Sequence, residues 1–313
     1  MPGVTGCIQG HPANQLSKCK FYSSGVEKKN TEGTKEKVAQ LIPWAGISLG
    51  QRDVADLAAS RSLAMIGIIG VQNSGKTTLL TLLYCLLRRG HKIGEFQFAG
   101  SYTIPAWENL AYYMTWKPGN HISFPPHTPG STGRIPGLLH LSLRDAIGNR
   151  KDLLLTDAKG EWFGDWAGNI NLDTAASPIW IHQNSKAFVL VADCDELSGP
   201  NRGLARDSLK SLYNRIADDI GDRSLSIAWT KSDIELRPLM EQNLREHFNK
   251  DGLAPEEFRI SALKDKNPED GEDRLQKEVL SLFAHLIDKI NTKQEKSVRI
   301  DSDVKDHFFS IRY

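Results

Sequence analysis

Residues 70–77 read GVQNSGKT, which matches the pattern G-x-x-x-x-G-K-[ST]. Each position has a physical task. Gly70 and Gly75 permit a close backbone approach and φ values that a side chain would oppose. The turn between them, through Asn73 and Ser74, then aims successive N–H groups at one point. The helix that follows adds its partial positive charge there, so the backbone itself holds a phosphate. Lys76 supplies a point charge to the outer phosphates, Thr77 offers a hydroxyl to Mg²⁺, and Thr78 follows at the helix start. The bland alternative is a glycine-rich turn that binds nothing. The context argues against it: the apolar run 63–69 enters the motif and the helix-forming run 78–87 leaves it.

Three further clusters fall at the ends of apolar runs. Residues 153–156 end in Asp157, a carboxylate expected to support Mg²⁺ beside the cradle, and Asp157-Ala158-Lys159-Gly160 gives D-x-x-G. In nucleotide switches the glycine N–H of this motif contacts the terminal phosphate. Residues 225–229 end in Thr230-Lys231-Ser232-Asp233, similar to the guanine-reading N/T-K-x-D motif. Asp233 can accept from guanine N1–H and the N2 amino group, and adenine lacks that donor pair. The Lys231 stem can lie over the base or sugar. Thr230 stands where Asn is commoner, which weakens the expected bond back to the phosphate cradle. Residues 258–260 lead into Ser261-Ala262-Leu263, similar to the S-A-K/L motif whose backbone meets guanine O6.

Glu161 follows Gly160, where a water-orienting Gln stands in Ras-like enzymes. A carboxylate there could position water, or repel the terminal phosphate and slow hydrolysis. Thr132 best fits the spacing for a switch threonine that meets Mg²⁺ and the terminal phosphate, with Thr128 as the runner-up. Arg134 beside it could supply positive charge in cis, or be a solvated loop charge. Trp162, Phe163 and Trp166 either pack this segment onto the following helix or anchor a partner. In the N-terminal segment, Cys7, His11 and Cys19 could ligate zinc. The fourth ligand is missing, since Tyr22 stands where a C-x-x-C partner would fall, so free cysteines in an arm are the alternative. Cys85 reads as core and Cys194 has no assigned role.

The elements that position these residues follow from periodicity. Strands are expected at 63–69, 138–143, 153–156, 187–192, 225–229 and 258–260. Amphipathic helices are expected at 76–88, 172–183, 203–220, 236–248 and 273–290. That alternation implies an α/β fold with a mainly parallel sheet of about six strands and helices on both faces. Residues 1–52 read as an irregular N-terminal segment, 53–290 as the nucleotide-binding domain, and 291–313 as a tail. Residues 90–137 hold six prolines and many aromatics and read as a long insertion leading to the switch threonine.

Of 313 residues, 39 are Lys or Arg and 38 Asp or Glu, a net charge of +1 that gives no electrostatic case for nucleic acid or an anionic membrane. No run reaches the ~18–20 apolar residues of a membrane helix, and the first 16 residues lack a signal-peptide apolar region. Four cysteines in this length do not suggest a disulfide framework. The expected location is the cytoplasm.

With these motifs in order, the chain resembles translation-factor and Ras-type GTPases, and most closely the bacterial type-2 double-GTPase family. The resemblance covers roughly 53–263 and rests on GVQNSGKTTLL, FAGSYT at 98–103, LLHLSLRD at 138–145, LLLTDAKGEWF at 153–163, FVLVAD at 188–193 and TKSD. FAGSYT and the LHL strand are its more family-specific pieces. Cys7 and Gly10-His11-Pro12 match an N-terminal feature of the family. The resemblance implies GTP binding, Mg²⁺-dependent hydrolysis to GDP and phosphate, and switching toward a protein partner, a second GTPase or an effector. It further implies a place in conflict or defence gene clusters. Turnover is expected to be slow without a partner that completes the site. Two rivals remain at this stage: a guanine-nucleotide scaffold that never turns over, and an ATP-dependent P-loop protein.

Overall fold

The computed structural model describes residues 48–59, 61–114, 136–250, 252–262 and 268–297. Its centre is β2 (Leu63–Ile69), whose alternate residues face opposite ways. Ile66 and Ile68 enter one core and Ile69 enters the other. β6 (Ala187–Asp193) alternates likewise: Ala187, Val189 and Val191 point to the first core, and Phe188, Leu190 and Ala192 to the second. A strand buried on both faces reads as a continuous apolar run, which is why these two were legible in the sequence.

β2 pairs in parallel with β5 (Arg150–Thr156) on one side and with β6 on the other. Beyond β6 lie β7 (Ser224–Thr230) and β8 (Glu256–Ile260), also parallel. β4 (Pro136–Arg144) pairs antiparallel with β5. Its other edge is shared by β1 (Leu49–Gly50), opposite Leu138, and by β3 (Gln97–Gly100), opposite Leu143 and Arg144. The order is β1-β4-β5-β2-β6-β7-β8, with β3 beside β4, making eight strands among the described residues. The expected sheet had about six. The two additions span two and four residues, too short to carry an apolar run of their own.

Helices cover both faces. α2 (Lys76–Arg88), α3 (Ile104–Met114) and α9 (Pro268–Ser297) pack on the first. On α9, Val279, Leu282, Phe283, Leu286, Ile287 and Ile290 are buried, a stripe at helical spacing. α4 (Gly160–Gly168), α5 (Ala176–Asn184), α7 (Arg202–Ala217) and α8 (Pro238–Phe248) pack on the second. The five-residue α6 (Cys194–Ser198) follows β6, and α1 (Gln51–Ala58) places Leu57 against Leu49, Leu138 and Leu154.

The stretch 90–137 is not one irregular insertion. Its first part forms β3 and α3, and residues 115–135 lie outside the described residues. Pro105, one of the six prolines that marked the stretch as an insertion, is the second residue of α3. A first-turn N–H has no intrahelical acceptor, so a proline there costs the helix no bond. Among the described residues no helix is long and apolar enough to cross a membrane.

Candidate nucleotide site

β2, β5, β6, β7 and β8 all deliver their C-terminal ends to one edge of the sheet, where ligands bind in open α/β folds. The β2–β5 ladder runs only to Ile66 opposite Leu155. Beyond it the strands part, and the Thr156 hydroxyl takes the Ile68 N–H at 2.7 Å in place of a backbone carbonyl. Into the opening fits the turn 70–75. Asn73 has φ 61° and Gly75 φ 90°, and Gly75 caps α2. A Cβ on Gly70 would meet Ser74 Oγ at 2.7 Å. The two glycines are therefore required for different reasons, one steric and one conformational.

Lys76 is buried, and its ammonium donates to the carbonyls of Gly70 at 3.0 Å and Val71 at 2.8 Å. Its Nζ also lies over the Phe163 ring, 6.0 Å from the centroid. Burial lowers its pKa to about 8, and the nearby Asp157 charge opposes that shift. Thr77 Oγ1 donates to Asp157 Oδ1 at 2.8 Å. This puts two hard oxygen donors side by side at the phosphate end, a set suited to Mg²⁺.

Gly160 opens α4 and lies hard against the turn. A Cβ there would stand 2.2 Å from Gln72 N and 2.4 Å from Val71 C. Glu161 is exposed and Trp162 half-buried, while Phe163 and Trp166 are buried in the core shared with α7. Phe163 and Trp166 therefore fasten α4 by packing, while Trp162 stays half-buried at its surface.

At the other end, Thr230 Oγ1 donates to Ser74 O at 2.7 Å. The bond back to the phosphate turn, expected to weaken where Thr replaces Asn, is present and short. Thr230 also packs its Cβ against Gly75. Lys231 adopts φ 51° and its ammonium pairs with Asp193 at 2.7 Å and Asp195 at 3.7 Å. Ser261 Oγ donates to Asp233 Oδ1 at 2.6 Å. Ser232 N donates to Ile260 O at 3.2 Å, so the loops after β7 and β8 are tied twice.

One cavity of about 720 Å³ runs between the two ends, with Asp157 and Ser261 adjoining lining residues rather than lining it themselves. Its lining includes Asn73, Ser74, Gly75, Lys76, Thr77 and Thr78 at one end and Thr230, Lys231, Asp233 and Ala262 at the other. Gly160 and Glu161 form part of the wall. Thr132, Thr128 and Arg134 lie outside the described residues, as do Cys7, His11, Cys19 and Leu263. Among the described residues no cluster of three His, Cys, Asp or Glu side chains could hold a metal, so zinc has no support there. Sequence reading gave no role to Gln72, Asp193 or Asp195. Asp193 ends a buried strand and caps α6 through Asp195 N, a polar residue closing an apolar run, and that was the available signal.

Residues 98–103 and the strand around His140 have a physical purpose the sequence did not show. Ser101 Oγ and Trp107 Nε1 both donate to His140 O, at 2.6 and 2.9 Å. His140 N donates to Thr103 Oγ1, and Tyr102 N to His140 Nδ1. The ring proton then sits on Nε2, facing Asp152 Oδ1 at 3.3 Å. Burial pushes the Asp152 carboxyl up, but His140, Ser142 and Arg61 hold it down to about 2. FAGSYT is thus stapled to the LHL strand, which leads away from residues 115–135.

A family model described as Double-GTPase 2 matches residues 64–283 of this chain. No curated protein matches it.

Proposed function

The chain belongs to the Double-GTPase 2 family, and on that premise we propose that the cavity holds GTP or GDP with Mg²⁺ and hydrolyses GTP as a switch. The observation that carries this is the continuity of the cavity from Lys76 and Thr77 to Asp233 and Ala262. A phosphate cradle alone fits ATP equally well. Asp233, held by Ser261 at the far end, presents acceptor oxygens to the N1–H and N2 donors that guanine has and adenine lacks.

The residues divide the work. The backbone of 70–75 and the Lys76 ammonium hold the phosphates, and Thr230 fixes the base loop to the phosphate turn. Thr77 and Asp157 would hold Mg²⁺, which when bound offsets charge on the outer phosphates. Gly160 places the first turn of α4 against the turn that meets the terminal phosphate. Loss of that phosphate then loosens α4, and a protein partner reads the change. The sequence-read Thr132 completes switch and metal contacts under this proposal.

The test is equilibrium binding of fluorescent GDP and ADP with Mg²⁺ present, beside Lys76→Ala. The expected result is tight GDP binding, little ADP binding, and loss of both in the variant. Equal affinity for the two nucleotides would overturn the guanine reading. Single-turnover assays with GTP then separate an enzyme from a scaffold.

A further inference from the structure

We propose that Gln72 positions the attacking water, an inference that rests on the hydrolysis reading above and assigns a residue to its central step. The cavity has a direction. The base end is marked by Asp233 and Ala262, and Lys76 and Thr77 mark the phosphates. The wall beyond them, where a terminal phosphate must end, includes Gln72, Gly160 and Glu161. The Gly160 fit makes this specific: an added Cβ would lie 2.2 Å from Gln72 N and 2.5 Å from Gln72 Cα. The Val71–Gln72 peptide of the phosphate turn therefore abuts the first turn of α4, and of the two residues Gln72 is the one that lines the cavity.

Three exposed polar side chains, those of Gln72, Asn73 and Glu161, line that end of the cavity, and of the two carboxamides Gln72 is the one whose backbone abuts α4 at Gly160. Lys159 is engaged over the Trp162 ring at 5.8 Å, and Lys76 is held by two carbonyls. An in-line water needs two things from the protein. One is an acceptor for a water proton, which aims a lone pair at phosphorus. The other is a donor to a terminal phosphate oxygen, which fixes the angle. A carboxamide carries both on one rigid plane, whereas an ionised carboxylate accepts only and adds negative charge beside the phosphates. Gln72 meets both needs and Glu161 meets one.

In the step itself, the water oxygen forms a bond to the γ-phosphorus. The bond from that phosphorus to the β,γ-bridging oxygen breaks, and its electron pair stays on GDP. The water proton passes to a phosphate oxygen, giving inorganic phosphate. Gln72 is neither consumed nor protonated.

The opposite view is that a side chain at this position merely crowds the terminal phosphate, and the two views predict opposite signs. The full chain is assayed for single-turnover GTP hydrolysis, for GDP and GTPγS affinity, and for formation of the GDP–aluminium fluoride complex. Gln72→Ala should lower hydrolysis about 10- to 100-fold and abolish the fluoride complex. GDP and GTPγS affinities should change less than about threefold, which also shows that the variant is folded. Gln72→Glu, which keeps the acceptor and loses the donor, should be as slow as Gln72→Ala. Hydrolysis in Gln72→Ala equal to or faster than in the native chain would overturn the assignment. So would a loss that merely parallels lost affinity, or a Gln72→Glu variant as fast as the native chain. A native chain that binds GTP without any turnover would overturn the hydrolysis reading itself, and this role with it.

Discussion

Replacing Gly160 by Ala adds a single methyl group and should break the contact between switch and cradle. The new Cβ would lie 2.2 Å from Gln72 N, 2.4 Å from Val71 C and 2.5 Å from Gln72 Cα. All three are backbone atoms, so no side chain can swing aside. Against an optimal separation of about 3.5 Å, α4 and the turn must part by about 1.3 Å. Phe163 and Trp166 resist that movement because both are buried in the core beneath α4. Overpacking of this kind costs about 1–3 kcal/mol, read as a fall in Tm of about 2–4 °C per kcal/mol for a domain of this size. Gly164, in the same helix, is the control. An added Cβ there has nothing within 4 Å, so Gly164→Ala should gain up to about 1 kcal/mol from helix propensity. The assays are urea unfolding and the ratio of GTPγS to GDP affinity. Gly160→Ala should lose stability and compress that ratio toward one, whereas Gly164→Ala should do neither. If the two variants behave alike, the reasoning from the close approach fails.

Other outcomes follow from the same geometry. Burial lowers the Lys76 pKa to about 8, and under the proposed function its ammonium holds a phosphate, so binding should take up a proton above that pH. GDP affinity should fall up to about tenfold per pH unit above 8, and a flat profile from pH 7 to 10 would contradict the burial argument. Asp233→Asn should move preference from guanine to xanthine nucleotides, as competition binding would reveal, since the amide offers a donor where the carboxylate offered an acceptor. His140→Ala removes the partner of Asp152 and the acceptor for Tyr102 N–H, and should cost about 2–4 kcal/mol in urea unfolding at pH 7. The Asp152 pKa is depressed, so its stabilisation of about 2 kcal/mol is present above pH 4 and lost as pH falls toward 2. In His140→Ala this acid-dependent loss should shrink.

The candidate site was legible in the sequence because its motifs follow strands whose last residues are mostly buried, where an apolar run stops at a polar residue; β8, at the edge of the sheet, is only partly buried. Asp157, Thr230 and Ser261 were placed that way, and the cavity brings their ends of the strands together. What stayed hidden depends on long-range fit. Nothing local marks Gly160 as touching Gln72 across the sheet, and nothing marks His140 as the anchor for residues 101–107. Thr230 was undervalued because it stands where Asn is commoner. The structure brings Ser74 O within 2.7 Å of its hydroxyl, so the bond back to the 70–75 turn is made by Thr as well. The helix α3 was missed because the prolines and aromatics of 90–137 were read together as one insertion, although Pro105 falls harmlessly in the first turn of α3.

β4 has two short guardians on its outer edge. β1 takes the end near Leu138 and β3 the end near Arg144, and each pairing carries a register irregularity. An unguarded strand edge is a template for pairing with another chain. β1 and β3 come from separate stretches of sequence, and neither is long enough to offer a continuous edge of its own. The sheet thus ends in two broken steps, which act against edge-to-edge self-association. Removing residues 1–58 would strip one step and bare half of β4 to aggregation while leaving every nucleotide-lining residue of the cavity in the chain.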